Sequence, residues 1–305
     1  MSATCHAPAG LDQAELASPR TIAEACALLD DAARADRSAV MLAGGTDWIV
    51  DRHLAPIEKA HAVDRVIDLT AIEELTRITD SGDAGERLLV LGGGVTYWQL
   101  REDPRVVSTV PMLGAMAKDV GAVQIQTRGT LAGNIASASP AADGVPALMA
   151  LDATVTLART GGSRTVPLDE FFTAYRKTVL APGEIIAAIT IRVPPKGARV
   201  AWRKVGTRLA QAISKVALAS VVEIDASGVI TRARFGMASI AAVTHPLKKT
   251  RAFLEGSKLA GIARAALDAQ IEREIKPIDD VRSTGEYRLH VAKTLVWRAL
   301  HPELA

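Results

Sequence analysis

The stretch Thr127-Arg128-Gly129-Thr130-Leu131-Ala132-Gly133-Asn134-Ile135-Ala136-Ser137-Ala138-Ser139-Pro140-Ala141-Ala142-Asp143 decides how this chain is read. Gly129 and Gly133 free the backbone for close approach to another group. Hydroxyls at Thr130, Ser137 and Ser139, the Asn134 amide and the Asp143 carboxylate crowd a segment with almost no bulk. Asn134 can donate and accept at once, and Asp143 can accept two hydrogen bonds from a polyol. Such a segment suits a large polar ligand lying against the main chain better than it suits a core. Pro140 sets a turn, and Asp143 precedes an apolar helix expected from Val145 to Leu151. Asp143 therefore has two possible jobs, a ligand contact or the cap of that helix.

A segment of like character lies upstream, Leu42-Ala43-Gly44-Gly45-Thr46-Asp47. The short apolar run from Ala39 to Leu42 predicts a strand that ends in a tight turn at the glycine pair, with a polar start after it. Backbone N–H groups at such a turn form an anion nest, and a diphosphate fits one. Each charge-assisted hydrogen bond there contributes about 1.5–3 kcal/mol. The alternative is a loop that needs glycine only for positive φ. Gly92-Gly93-Gly94 does not complete a dinucleotide fingerprint: the sixth position is Tyr97, and no acidic residue follows a second strand at the required distance. A plain turn is expected there. Lys204 and Arg208 follow a further strand and precede Gln211, Ser214 and Lys215. They read as a solvated basic face, except that Trp202 two residues before Lys204 argues for a partly enclosed setting of that lysine.

Around these segments the chain opens in α/β fashion. Ser18-Pro19-Arg20-Thr21 caps a helix carrying Ile22, Ala25, Leu28 and Leu29. Strands are expected over Val63–Leu69 and Leu88–Leu91, and Thr96 caps a helix through Trp98 and Leu100. From Leu148 onward strands dominate, over Thr154–Ala158, Ile185–Val193 and Val216–Ile224. Residues 223–231 read as an antiparallel hairpin turning at Ala226-Ser227-Gly228. Two amphipathic helices close the chain, one on Leu259, Ile262, Ala266 and Ala269, the other on Tyr287, Val291, Leu295 and Ala299. Composition breaks near Ala60 and near Pro194-Pro195.

Composition sets limits. The 305 residues are 49% hydrophobic and 23% charged, ordinary for a globular chain long enough for two or three packed units. Thirty-six basic against thirty-four acidic residues leave +2, too near neutrality to point to nucleic acid or an anionic membrane. Cys5 and Cys26 have no partners at zinc or iron–sulfur spacing. The six histidines form no HxxH or HxxxH pair, and no nucleophile elbow occurs. No apolar run approaches the roughly 18–20 residues of a membrane span, and Met1 to Arg20 holds no apolar signal core. The cytoplasm is the expected location.

With these motifs in order, the chain resembles the FAD-binding (medium) subunit of the molybdenum hydroxylases, the family of xanthine dehydrogenase, carbon monoxide dehydrogenase and related azaarene and aldehyde oxidoreductases. The resemblance covers nearly the whole chain. It rests on Ala43-Gly44-Gly45-Thr46-Asp47, on Thr130 to Asn134 through Ser139-Pro140 to Asp143, on Gly183-Glu184-Ile185-Ile186, on Lys204-Val205-Gly206-Thr207-Arg208 to Lys215-Val216, and on Tyr287-Arg288.

The resemblance implies an α+β chain: a vanillyl-alcohol-oxidase (PCMH)-type FAD fold over residues 1–190, with α/β subdomains of about 1–60 and 61–190. A carbon monoxide dehydrogenase flavoprotein-type C-terminal domain of antiparallel strands and helices follows over 191–305. It implies an FAD-binding set of Ala43, Gly44, Gly45, Thr46, Asp47, Thr130, Gly133, Asn134, Ala136, Ser137, Asp143, Ile186 and Lys204. In that set residues 43–47 and 133–134 hold the diphosphate by backbone, Ser137 meets phosphate or ribityl oxygens, and Asp143 meets a ribityl or ribose hydroxyl. Ile186 packs on the adenine or flavin side, and Lys204 approaches the pyrimidine edge of the isoalloxazine. No catalytic acid, base or metal ligand is implied on this chain.

The implied partners are a large subunit with the molybdenum pyranopterin and a small subunit with two [2Fe–2S] clusters, assembled as a dimer of heterotrimers. Electrons pass through FAD to NAD, oxygen or another acceptor, and the organic substrate, oxidised on the large subunit, is a heteroaromatic (purine-like or azaarene) or an aldehyde. Two features depart from the pattern. Ala132-Gly133 stands where the family often has Gly-Gly, and Leu209-Ala210-Gln211 stands where xanthine dehydrogenases often carry acidic residues. The cysteine-rich insertion of the branch that reduces aromatic CoA thioesters is missing. Two other functions remain open, a free-standing FAD oxidase of the same fold and a nucleotide-binding scaffold without enzymatic activity. An oxidase would need a general base beside the flavin, and no such cluster is visible.

Overall fold

The computed structural model describes residues 11, 13–54, 62–82 and 86–304. Cys5 and the break expected near Ala60 lie outside them. The chain starts with β1 (Glu15–Ala17), α1 (Ile22–Arg34), β2 (Ala39–Leu42), α2 (Trp48–Leu54) and β3 (Arg65–Asp68). The three strands form a parallel sheet in the order β1-β3-β2. Thr21 starts α1 as expected, its Oγ1 accepting the Glu24 N–H at 3.1 Å, while the Glu24 carboxylate accepts the Arg20 N–H at 2.7 Å. Ala25 and Cys26 on α1 are buried with Ile67, Ile72 and Leu75 in a small core under this sheet.

The middle of the chain contains β4 (Ile78–Gly82) and β5 (Arg87–Gly92), then the helices α3 (Tyr97–Glu102), α4 (Pro104–Thr109), α5 (Pro111–Lys118), α6 (Val123–Gln126), α7 (Leu131–Ala136) and α8 (Gly144–Ala150). It closes with β6 (Thr154–Arg159), β7 (Gly162–Pro167), β8 (Phe172–Ala174), β9 (Lys177–Thr178) and β10 (Ile185–Arg192). Five of the strands form one sheet in the order β4-β5-β10-β6-β7, antiparallel throughout. Thr96 caps α3 in a full capping box with Gln99. Leu89, Leu91, Ile189 and Ile191 of the sheet meet Leu113, Met116, Leu131, Ile135 and Leu148 of the helices in the main core. Each such side chain contributes about 1.5–3 kcal/mol on full burial.

The last part begins past Pro194 and Pro195. An antiparallel sheet of β11 (Arg199–Val205), β12 (Val216–Ile224) and β13 (Ile230–Ala238) is followed by α9 (Lys248–Leu254), α10 (Arg264–Glu274) and α11 (Gly285–Leu300). The turn between β12 and β13 is held by Asp225, whose Oδ1 accepts the Ser227 N–H and hydroxyl and the Val229 N–H. β12 reads as an unbroken apolar run because both its faces are covered. Ala217, Ala219 and Val221 belong to the main core, while Val216, Leu218 and Val222 join a second core with the C-terminal helices. This strand ties the last part of the chain to the middle one.

Two helical expectations are corrected. Leu259–Gly261 is a separate 3-10 turn, α10 starts only at Arg264, and its buried stripe is Leu267 and Ile271 rather than Ala266 and Ala269. In α11 the expected Leu295 and Ala299 are buried, but the first half of the buried face runs through Arg288 and Ala292 rather than Tyr287 and Val291. Arg288, Ala292, Leu295, Val296, Ala299 and Leu300 face inward, and Tyr287 is exposed. A stripe chosen for apolar residues passes over Arg288, a charge satisfied inside the fold. Among the described residues no helix is long and apolar enough to cross a membrane.

Candidate functional site

β2 delivers Ala43 to Asp47 at its C-terminal end, as a half-buried turn with Asp47 exposed. Among the described residues, the N–H groups of Gly44, Gly45, Thr46 and Asp47 meet no hydrogen-bond acceptor. A Cβ on Gly44 would stand 2.0 Å from the Arg128 carbonyl oxygen, so only glycine lets this turn rest on the chain entering α7. The two segments singled out in the sequence therefore touch.

α7 is anchored on the five-stranded sheet by backbone bonds. The Leu131 and Ala132 N–H groups donate to the Val95 and Gly93 carbonyls at 3.1 and 3.3 Å, and the Gly93 N–H donates to the Ala187 carbonyl at 2.8 Å. A Cβ on Gly93 would meet the Ile186 carbonyl oxygen at 2.1 Å and the Ala132 methyl at 3.3 Å. Gly92-Gly93-Gly94 is a turn, as expected, closed by the Val95 N–H donating to the Gly92 carbonyl at 3.0 Å, and it is also a tightly packed junction. The Ala132 methyl faces that junction and the main core, away from the outer side of α7. That outer side presents Gly133 and Ala136, both exposed. Thr130 caps the helix, its Oγ1 accepting the Gly133 N–H at 3.0 Å. The Ile186 side chain is buried in the main core beneath.

Beyond α7 the Ser137 hydroxyl donates to the Asn134 carbonyl at 3.0 Å. Asn134 Oδ1 accepts the Gly144 N–H at 3.1 Å, and its amide N–H groups have no acceptor among the described residues. Asp143 does not cap α8, since its side chain makes no cap bond. Its carboxylate reaches across to the three-stranded sheet instead. Lys204 Nζ donates to Asp143 Oδ2 at 2.6 Å and to the Asp119 carbonyl at 2.8 Å, and Ser214 Oγ donates to Asp143 Oδ1 at 2.5 Å. Trp202, two residues before Lys204, donates Nε1–H to Asp119 Oδ2 at 2.8 Å. The Lys204 and Asp143 side chains are only 9% and 12% exposed. Burial pushes the Asp143 carboxyl up, against the pull of the Lys204 ammonium and the Ser214 hydroxyl. Lys204 is enclosed, as its place after Trp202 suggests, and Arg208 lies on the solvated face, its exposed guanidinium donating to the Gln211 carbonyl.

Two residues at this site escape the sequence. Asp119 enters through its carbonyl and carboxylate, and Tyr97 lies between the two segments. The Tyr97 hydroxyl is buried without a hydrogen-bond partner among the described residues. Burial first, then the charges of Asp143 and Asp47, drives it well above the usual tyrosine range. Glu184, part of the resemblance, has a structural task. Its carboxylate accepts Arg164 Nε and Nη2 at 2.6 and 2.8 Å and the Ala181 N–H at 2.8 Å, fixing the turn into β10.

The residues present fit a flavin dinucleotide. The Gly44–Asp47 turn, whose N–H groups meet no acceptor among the described residues, rests on the chain entering α7. α7 offers an outer side without side-chain bulk and carries the Asn134 amide, and the segment beyond it reaches the enclosed Lys204. A cavity of about 540 Å³ opens elsewhere, between β4 and α3, lined by Thr76, Ile78, Trp98 and Glu102, and none of the site residues line it. No cluster of three or more histidine, cysteine, aspartate or glutamate side chains able to hold a metal occurs among the described residues.

Comparison with known proteins agrees with this geometry. A family described as the FAD binding domain in molybdopterin dehydrogenase matches residues 12–195, and the CO dehydrogenase flavoprotein C-terminal domain matches residues 201–302. The nicotinate dehydrogenase FAD-subunit of Eubacterium barkeri is 31% identical over 248 residues, 80% of each chain. The carbon monoxide dehydrogenase medium chain of Hydrogenophaga pseudoflava is 28% identical over 288 residues, 94% of this chain and 96% of that one. A solved structure of the Hydrogenophaga pseudoflava carbon monoxide dehydrogenase, lacking the Mo-pyranopterin moiety of its molybdenum cofactor, superposes with a TM-score of 0.84 at 26% identity, covering 95% of this chain and 96% of that one. The expected α+β fold class is borne out, and the chain belongs to the family of FAD-binding subunits of the molybdopterin dehydrogenases.

Proposed function

We propose that this chain holds FAD and serves as the electron-relay subunit of a heteromeric molybdenum hydroxylase. The observation that carries the reading is the packing of the Gly44–Asp47 turn, whose N–H groups meet no acceptor among the described residues, on the Arg128-Gly129 backbone that leads into α7, the helix whose outer side exposes Gly133 and Ala136. There the diphosphate lies across the turn and the Gly133-Asn134 backbone, with Thr130 holding α7 in place. Ser137 and the free Asn134 amide line the path toward the ribityl chain. Asp143 keeps the Lys204 ammonium at the edge of the isoalloxazine, where a fixed positive charge favours the reduced ring and raises its potential. Ile186 supports the helix from below rather than contacting the ring.

The chemistry that bound FAD supplies is the collection of single electrons from [2Fe–2S] clusters on a small partner subunit and their delivery in pairs to NAD, oxygen or another acceptor. The organic substrate is oxidised on a large molybdenum-cofactor subunit in the same cytoplasmic assembly. The similarity to a nicotinate dehydrogenase subunit supports a heteroaromatic substrate. Residues 1–190 form the FAD-binding part and 191–305 the C-terminal part.

Anaerobic stopped-flow mixing tests this. Flavin bleaching upon mixing with the reduced molybdenum and iron–sulfur subunits, and none with small alcohols or amines alone, is the expected result. Bleaching by an alcohol or amine with no partner present would replace the relay with a free-standing oxidase.

A further inference from the structure

Ser239 follows β13 with φ at 65°, a left-handed conformation that a serine rarely adopts. Such a conformation persists where its surroundings over-determine it. Three hydrogen bonds do so here. The Ser239 N–H donates to the Pro140 carbonyl at 2.8 Å, its hydroxyl donates to the Ser214 carbonyl at 2.9 Å, and its own carbonyl accepts Arg288 Nη1 at 2.6 Å. The first acceptor lies on the segment leading into Asp143. The second belongs to the residue whose hydroxyl sits 2.5 Å from Asp143 Oδ1. One strained residue thus grips both segments that set the Asp143 carboxylate.

Arg288 in turn grips Ser239. It projects inward from α11 with only 5% of the residue exposed, and Nη2 donates to Asp280 Oδ1 at 2.6 Å. Asp280 is held by the Arg282 and Ser283 N–H groups. A buried guanidinium is costly to keep, and its Nε has no partner among the described residues. An apolar side chain would serve the packing of α11, next to Ala292 and Leu295, at lower cost. The charge makes sense if its direction matters.

We propose that Arg288 and Ser239 form a positioning relay by which the C-terminal helix α11 fixes the Asp143–Lys204 pair at the flavin site. Arg288 acts on Ser239, Ser239 acts on the Pro140 and Ser214 carbonyls, and these set the two oxygens of Asp143 to which Lys204 and Ser214 donate. The relay rests on the FAD reading above.

The test uses the purified full chain freed of flavin. FAD is titrated back by quenching of flavin fluorescence, alongside thermal unfolding of the apo form. Ser239→Gly suits the left-handed backbone and removes only the hydroxyl bond to Ser214. Its melting temperature is expected to stay at or above that of the wild type, while Kd for FAD rises about fivefold, the change one lost hydrogen bond corresponds to. Arg288→Lys keeps the charge but cannot serve both Ser239 and Asp280, so it weakens FAD binding less than Arg288→Met. Because both residues act through one path, Ser239→Gly with Arg288→Lys should weaken binding no more than the worse single variant. Unchanged FAD affinity in Ser239→Gly, or full additivity in the double variant, overturns the relay alone. A wild-type chain that takes up no FAD overturns the FAD reading and the relay together.

Discussion

Lys204 Nζ lies 2.6 Å from Asp143 Oδ2, joining β11 to the segment that leads from α7 into α8. Both side chains are nearly out of solvent, so removing either leaves an uncompensated buried charge. Asp143→Ala or Lys204→Ala should each cost about 3 kcal/mol or more of stability. The paired Asp143→Ala, Lys204→Ala variant should cost less than the sum, with a coupling of about 1–3 kcal/mol. Chemical denaturation of the four proteins in a double-mutant cycle checks this, and additive losses would mean the pair is not coupled. Asp143→Ala should also weaken FAD retention.

Gly133 offers a cleaner separation of fold from cofactor. Apart from Thr130 Oγ1 at 3.0 Å, a Cβ there meets nothing within 4 Å outside the helix itself and the neighbouring residues. Gly133→Ala should change apo stability by no more than about 1 kcal/mol, helix propensity offsetting the small shift the Thr130 hydroxyl must make. Its FAD affinity should fall, and Gly133→Val should abolish binding by clashing with the diphosphate. Circular dichroism melts beside flavin absorbance of the purified variants give both readouts.

The Thr130 cap sets the start of α7. Thr130→Val keeps the shape and loses the oxygen that accepts the Gly133 N–H, which should cost about 1 kcal/mol. Thr130→Ser should restore most of it. Urea midpoints measured side by side decide the matter.

Glu184 predicts a pH dependence. Its carboxyl is held below the ordinary value of 4.5, chiefly by the Arg164 guanidinium. A depressed folded-state value means that the carboxylate stabilises the protein above pH 4.5, and that this stability is lost as pH falls through the folded-state value. Glu184→Gln should therefore melt lower than wild type at pH 7. The gap should close as the pH is lowered below 4.5. A gap that is constant with pH would contradict the assignment.

What was legible in the sequence was local. Strand β2 and strand β12 show in short apolar runs, and Thr21 and Thr96 are readable as caps because each cap bond spans only three residues. The packing of the Gly44 turn on the chain entering α7 was not readable: composition showed only that both segments shed bulk, and the resemblance alone put both at the diphosphate. The Asp143 contacts were not readable, because Lys204 and Ser214 lie 61 and 71 residues away and no periodicity spans that gap. Arg288 misled the helix stripe for a related reason. A charge normally marks the wet side of a helix, and only the distant Ser239 carbonyl and the nearby Asp280 explain why it faces inward here. Tyr97 was noticed only as the residue that spoils a glycine fingerprint.

The central claim is that this chain holds FAD across the Gly44 turn and the outer face of α7. The most direct measurement is an equilibrium titration of FAD into the purified apo chain, wild type beside Gly133→Val. Saturable binding of a single FAD by the wild type, lost in a Gly133→Val protein that melts normally, is the predicted result. No binding by the wild type, or equal binding by both, would contradict it.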